Sequence, residues 1–159
     1  MSLVKFENIE KALDKVDSLD DASVEKLSET YTLAQTELVN YIMQATLEYE
    51  NEDLGPYIIY YFCIAMESFQ QAGIELDRIT DDMIDGFHDE FMDVLEEYTR
   101  EEDPQILDTY INQPNLLAFL AEELDGEDED GEELDIETSS QLFIVLSAMT
   151  GLLNRAIKK

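Results

Sequence analysis

Residues 57–66 read YIIYYFCIAM, ten apolar residues in succession, and this stretch decides between a helical fold and a mixed one. Ten residues are too few to span a bilayer. The aromatic and β-branched residues at its start are compatible with a buried strand, but Met66, Phe69 and Ala72 continue the stretch at a helical spacing. We therefore predict a central helix that extends to about Gly73.

The segments on both sides are also helical by pattern. The chain has six Gly and three Pro in 159 residues, whereas an all-β fold needs many more turn signals. Apolar residues three or four apart predict long helices over residues 3–16, 24–50 and 81–100. Pro104 and Pro114 suit the first turns of two shorter helices.

The C-terminal segment completes the predicted fold. Residues 138–141 read TSSQ, a capping-box pattern, so the last helix is expected to begin there. Gly151 in the middle of that helix is expected to mark close helix packing. The preceding residues, about 125–136, form an acidic loop. The sequence thus predicts a single all-α domain over residues 1–159, a bundle of about six or seven helices.

Charge is the most unusual property of the composition. Against 9 Lys and Arg stand 39 Asp and Glu, for a net charge of −30, and residues 77–137 alone carry 24 acids and two bases. A duplex-binding surface must be basic and an anionic membrane repels an acidic protein, so we expect neither nucleic-acid binding nor membrane docking. No signal-peptide pattern stands out, which favours a cytoplasmic location.

The strong acidity favours a binding role over a catalytic one. Cys63, the single cysteine, lies in the apolar stretch, where a thiol is a poor nucleophile, and no phosphate-binding loop is present. A negative field speeds association with basic proteins. We therefore expect a non-enzymatic binding or regulatory protein with a basic protein partner and no cofactor. Acidity that serves only solubility or a saline cytoplasm stays an open alternative, and so do the partner's identity and the oligomeric state.

A carboxylate–metal protein is the alternative function, and the acidic loop is its first candidate site. An EF-hand loop has a sharp-turn glycine at position six, which Gly131 matches. Asp128, Asp130 and Glu137 then fall at ligand positions three, five and twelve. The first ligand position is Gly126, which has no side-chain oxygen. At most weak calcium binding is therefore expected, and a solvated acidic loop explains the same residues without a metal.

Asp81, Asp85 and His88 form the second candidate metal cluster. The alternative function also includes a magnesium-dependent hydrolase, with magnesium held by acids on facing helices. Residues 81–85 read DDMID, the DDxxD pattern by which isoprenoid synthases hold magnesium and diphosphate. That chemistry also needs cations to neutralise the diphosphate, but this chain has three Arg and no second acidic motif. An Asp and a His three residues apart resemble half of a di-metal bundle site, yet the chain has one His. Stabilisation of a helix start by acidic residues accounts for the pattern more simply.

Overall fold

Helices make up almost all of the structure, a computed structural model that describes residues 3–125 and 135–158. Helix accounts for 80% of the described residues, which contain no strand and only an isolated antiparallel bridge between Leu76 and Ile157. The predicted all-α class is therefore confirmed. The described residues form nine helical segments: α1 (Phe6–Asp17), α2 (Asp21–Ala34), α3 (Thr36–Met43), α4 (Ala45–Glu48), α5 (Leu54–Gln71), α6 (Asp81–Glu101), α7 (Pro104–Ile111), α8 (Pro114–Asp125) and α9 (Ile136–Arg155).

Helices α5 and α9 form the centre of the bundle. The apolar stretch 57–66 lies in α5, which confirms its interpretation as a helix. Helix α5 packs against α1, α2 and α9, and α9 also packs against α3, α6, α7 and α8. Phe62 and Phe69 of α5 and Met149 of α9 are fully buried in one large hydrophobic cluster. This core holds α6 by one face and leaves its other face to solvent.

The predicted helix over residues 24–50 is wrong as a single element, because the chain breaks it into α2, α3 and α4. Gln35 leaves helical geometry, with φ −137° and ψ 52°. Its buried side chain accepts a 2.9 Å hydrogen bond from the Ile79 N–H and donates a 3.0 Å bond to the Asp77 carbonyl. The apolar spacing continues across the break, so periodicity alone does not show it. The competing bonds to the distant 77–79 segment explain it.

Side-chain caps fix where the later helices begin. Thr80 accepts a 3.2 Å hydrogen bond from the Met83 N–H at the start of α6, and Asp103 caps α7 ahead of Pro104. Helix α9 begins two residues before its predicted start, because Asp135 is the N-cap and accepts a 2.7 Å bond from the Thr138 N–H. Carboxylates are strong caps, and this one precedes the Thr-Ser-Ser-Gln pattern.

Close packing around α9 sets the position of α6. A Cβ atom on Gly151 would lie 2.8 Å from side-chain carbons of both Ile111 and Phe87. The expected role of Gly151 in close helix packing is therefore confirmed.

Among the described helices, only α9 is long and apolar enough to cross a membrane. Its most apolar segment of 18 residues has a mean hydropathy of 1.3, and 67% of that segment is buried inside the fold.

Candidate functional site

Helix α6 presents a continuous acidic surface to solvent. Its buried residues, Ile84, Phe87 and Phe91, face the core, so the other side of this 21-residue helix faces outward. Nine of its residues are acidic, and all nine are exposed: Asp81, Asp82, Asp85, Asp89, Glu90, Asp93, Glu96, Glu97 and Glu101. We call this set the α6 acidic surface.

The fold leaves most of the α6 acidic surface without partners. Glu90 accepts a 3.1 Å hydrogen bond from the Tyr110 hydroxyl, and Glu101 accepts a 3.2 Å bond from its neighbour Arg100. The other seven side chains make no hydrogen bond or ion pair in the part of the chain that the structure describes. An exposed pair such as Arg100–Glu101 contributes little to stability. The negative charge of α6 is therefore almost uncompensated.

Six of these acids follow one another at intervals of four residues. Side chains at this spacing are neighbours on a helix, about 6 Å apart along its axis. Like charges so placed destabilise a helix by roughly 0.2–0.5 kcal/mol per pair, so the five pairs of this row cost about 1–2.5 kcal/mol before screening. The row consists of Asp81, Asp85, Asp89, Asp93, Glu97 and Glu101.

An acidic cleft of about 420 Å³ lies where the start of α6 meets α3 and α4. Five carboxylates line it, from Glu37, Glu48, Asp81, Asp85 and Asp89. Glu37 is neutralised, because Arg78 holds it through bonds of 3.0 and 3.3 Å from Nε and Nη2. These bonds keep the pKa of the Glu37 carboxyl below its usual value. The other four carboxylates leave the cleft strongly negative.

A tyrosine–histidine pair forms the inner wall of the acidic cleft. The Tyr41 hydroxyl oxygen and His88 Nδ1 are 2.7 Å apart, and the two rings meet edge to face with centroids 5.7 Å apart. Burial, together with the nearby charge of Glu48, raises the pKa of Tyr41 to about 12. The phenol therefore stays protonated near neutral pH, and the pair links α3 to α6.

The second candidate metal site lies in this cleft but is not assembled as a metal centre. Asp81, Asp85 and His88 all line the cleft, and the partner of His88 is Tyr41, not a carboxylate. Within residues 3–125 and 135–158, no group of three or more His, Cys, Asp or Glu side chains is placed to hold a metal ion. The arrangement offers negative charge, which suits an organic cation such as a Lys or Arg side chain.

Only part of the first candidate metal site lies within the described residues. Asp128 and Asp130 lie outside the described residues. Glu137 is exposed in the first turn of α9 and accepts a 3.4 Å hydrogen bond from Gln141 Nε2. Asp135, beside it, is committed to capping α9 through the Thr138 amide.

A buried carboxylate, Glu67, was not anticipated from the sequence. It lies in α5 with its side chain fully buried and accepts hydrogen bonds from Lys15 Nζ at 2.9 Å, from the Tyr31 hydroxyl and from Gln71 Nε2 at 3.0 Å. Burial alone would raise the pKa of Glu67, but these bonds and the charge of Lys15 outweigh it and hold the pKa below its usual value. One signal was available: Glu67 is the single charged residue of α5 and directly follows the apolar stretch 57–66.

Cys63, one turn before Glu67, is also buried. Burial raises the pKa of its thiol to about 11, although a hydrogen bond with Ser28 acts in the opposite direction and lowers it. Glu67 and Cys63 therefore both belong to the packing of α5.

No family of proteins, no curated protein and no solved structure matches this chain.

Proposed function

We propose that this chain is a non-enzymatic acidic binding protein that engages a basic protein partner through the α6 acidic surface. The observation that carries the proposal is the set of seven exposed α6 carboxylates that have no partner in the described chain. Exposed charges of one sign steer oppositely charged proteins toward them and select against partners of the same sign. Binding and regulation by charge complementarity follow from this surface without any catalytic group.

The charge density of α6 supports a partner rich in Lys and Arg. At about 1.5 Å per residue the helix is about 31 Å long, so its nine acids give one negative charge per about 3.5 Å. One strand of duplex DNA carries one phosphate charge per about 3.4 Å of helix axis. Basic surfaces that bind polyanions therefore meet a comparable field on this helix.

The energetic cost of the acidic row supports the same proposal. Alternating charges would stabilise an exposed helix through pairs four residues apart, whereas this row of like charges destabilises it. Nothing in the described packing needs the row, because the core holds α6 by its opposite face. A bound cationic surface would relieve the repulsion, and this relief adds to affinity.

Two matched variants test the proposal. The α6 amide variant carries Asp85→Asn, Asp89→Asn, Asp93→Asn and Glu97→Gln. The α1–α2 amide variant removes the same charge from another exposed surface and carries Glu7→Gln, Glu10→Gln, Asp14→Asn and Glu25→Gln. The probe is a fluorescein-labelled nona-arginine peptide, followed by anisotropy in 50 mM and 200 mM NaCl.

We expect nona-arginine to bind the unmodified chain and to bind more weakly at the higher salt concentration. Exposed charge pairs contribute roughly 0.2–1 kcal/mol each, so the α6 amide variant should lose about tenfold in affinity. The α1–α2 amide variant should lose clearly less. Equal losses in the two variants would contradict a specific role of α6, and absence of binding to the unmodified chain would contradict the function itself.

A further inference from the structure

Three clefts follow the same edge of α6 and together form a groove. The acidic cleft begins at Asp81 and extends to His88. A small pocket of about 50 Å³ follows it at Met92, and a cleft of about 560 Å³ continues along α6 to Thr99. The first two share His88, and the last two share Ile144. We call the whole feature the α6 groove.

The chemistry of the α6 groove changes along its length. At the start of α6 it is lined by Glu48, Asp81, Asp85 and Asp89, whose side chains have no hydrogen-bond or ion-pair partner among the described residues. Met92, which is 40% exposed, marks the middle. At the end of α6 six of the ten lining residues are apolar or aromatic and come from α6, α8 and α9: Leu95, Tyr98, Ala121, Leu124, Phe143 and Ile144. The other four are polar: Thr99, Asp125, Ser139 and Ser140.

The opposite edge of α6 differs from the groove, because a cation of the fold itself lies beside it. There the guanidinium of Arg155 lies 4.8 Å from the centroid of the Phe87 ring and 4.4 Å from that of Tyr110. Tyr110 in turn donates a hydrogen bond to Glu90. The fold therefore places a cation beside α6 at that edge, whereas in the acidic cleft its cation Arg78 pairs with Glu37 of α3 and not with a carboxylate of α6.

We propose that the α6 groove is the docking site for a cationic amphipathic helix of the basic partner. This inference rests on the proposed function and specifies the partner's chemistry. Residues 81–99 span about 27 Å, the length of a helix of about 18 residues. Amphipathic helices bind grooves through apolar residues on one face. Charge complementarity sets the orientation: Lys and Arg lie at the Asp81 end, and Leu, Ile or Phe lie at the Thr99 end.

Two labelled 18-residue peptides of identical composition test this inference. In the amphipathic peptide the first two turns carry Arg, and the remaining turns carry Leu on one face. In the scrambled peptide the same residues are spread around the helix. Met92→Arg and Thr99→Arg each place a bulky cation in the groove. Gly86→Arg is the matched control, because it adds the same charge to the outward face of α6, where a Cβ atom meets nothing within 4 Å.

We expect the amphipathic peptide to bind at least about tenfold more tightly than the scrambled peptide, which corresponds to about 1.4 kcal/mol. Met92→Arg and Thr99→Arg should each remove most of this preference, whereas Gly86→Arg should retain it. In NMR spectra of protein labelled at the methionine methyls, the Met92 signal should shift on binding, and the signal of the fully buried Met149 should not.

Three outcomes separate this inference from the proposed function. Preference for the amphipathic peptide that depends on Met92 and Thr99 supports the groove. Equal binding of both peptides, with no difference between Met92→Arg and Gly86→Arg, overturns the groove and leaves the charge-based function intact. Binding of neither peptide, together with no binding of nona-arginine, overturns both.

Discussion

The α1–α2–α5 side of the molecule and the outward side of α6 use carboxylates in opposite ways. On the first side, Glu67 is fully buried and accepts three hydrogen bonds from three helices. Nearby, the Tyr60 hydroxyl donates a 2.8 Å bond to Asp17 and so joins α5 to the end of α1. On α6, seven carboxylates point to solvent without partners in the described chain.

This difference separates acids that hold the fold together from acids that the fold merely tolerates. A buried carboxylate persists only where donors replace its lost hydration, and Glu67 meets that condition. The acidic row of α6 has no such compensation and opposes the helix that carries it. A role outside the fold, in contact with a cationic partner, accounts for the second kind.

The largest effect on the free energy of unfolding is expected from removing the buried carboxylate of Glu67. Glu67→Ala leaves Lys15, Tyr31 and Gln71 without their shared acceptor. Because Lys15 is 47% exposed and regains its hydration, the loss comes from the hydrogen bonds to the buried carboxylate and from the space it leaves, about 2–4 kcal/mol. Urea unfolding measures this loss. Glu96→Ala on α6 is the control and should change the free energy of unfolding by less than about 0.5 kcal/mol. Similar losses in both variants would remove the distinction between the two sides.

The next effect compares the two faces of α6. Gly151→Ala drives a methyl group into Phe87 and Ile111 at the inner face, and such overpacking costs about 1–3 kcal/mol. Gly86→Ala at the outward face meets open space and should stabilise the helix by about 0.5–1 kcal/mol. Thermal unfolding of both variants shows the sign of each change. A stabilising Gly151→Ala would mean that α6 and α9 are not closely packed.

A smaller effect concerns salt. Self-repulsion should lower the stability of the unmodified chain at 10 mM NaCl and should be screened at 300 mM, where charges interact over less than about 10 Å. The α6 amide variant lacks the row of like charges and should be more stable than the unmodified chain by about 1 kcal/mol in low salt. That advantage should vanish in high salt. A melting temperature independent of salt in both proteins would rule out this repulsion.

The smallest effect is a pH dependence that belongs to Glu67 alone. Because the folded state lowers the pKa of Glu67, its contribution to stability is complete above the usual Glu pKa of about 4.3 and is lost as the pH falls through the lower folded value. The difference in free energy of unfolding between the unmodified chain and Glu67→Gln should therefore be constant near neutral pH and shrink in acid. A difference that grows below pH 4 would contradict the lowered pKa.

The elements that local pattern controls were predictable from the sequence. The helix over residues 81–100 and the proline starts of α7 and α8 agree with the structure, because short-range spacing and proline geometry determine them. The break at Gln35 was not predictable, since its cause is a bond to residues more than 40 positions away.

The candidate site was predictable only in part. The sequence predicted a helix over residues 81–100 in a strongly acidic part of the chain and grouped Asp81, Asp85 and His88 as one candidate site. It did not indicate Tyr41 as the partner of His88, because α3 and α6 meet only in the folded chain. The groove depends in the same way on residues from α8 and α9, which spacing within α6 does not reveal.

One thermal-shift experiment tests the central claim, that the α6 acidic surface serves a cationic partner and not the fold. The unmodified chain and the α6 amide variant are melted in low salt with and without nona-arginine. A ligand that binds the folded state raises the melting temperature, and at one ligand concentration the rise is larger for tighter binding. We predict that the variant alone is at least as stable as the unmodified chain and that nona-arginine stabilises the unmodified chain more. A variant that is less stable alone, or that gains as much from the peptide, would contradict the claim.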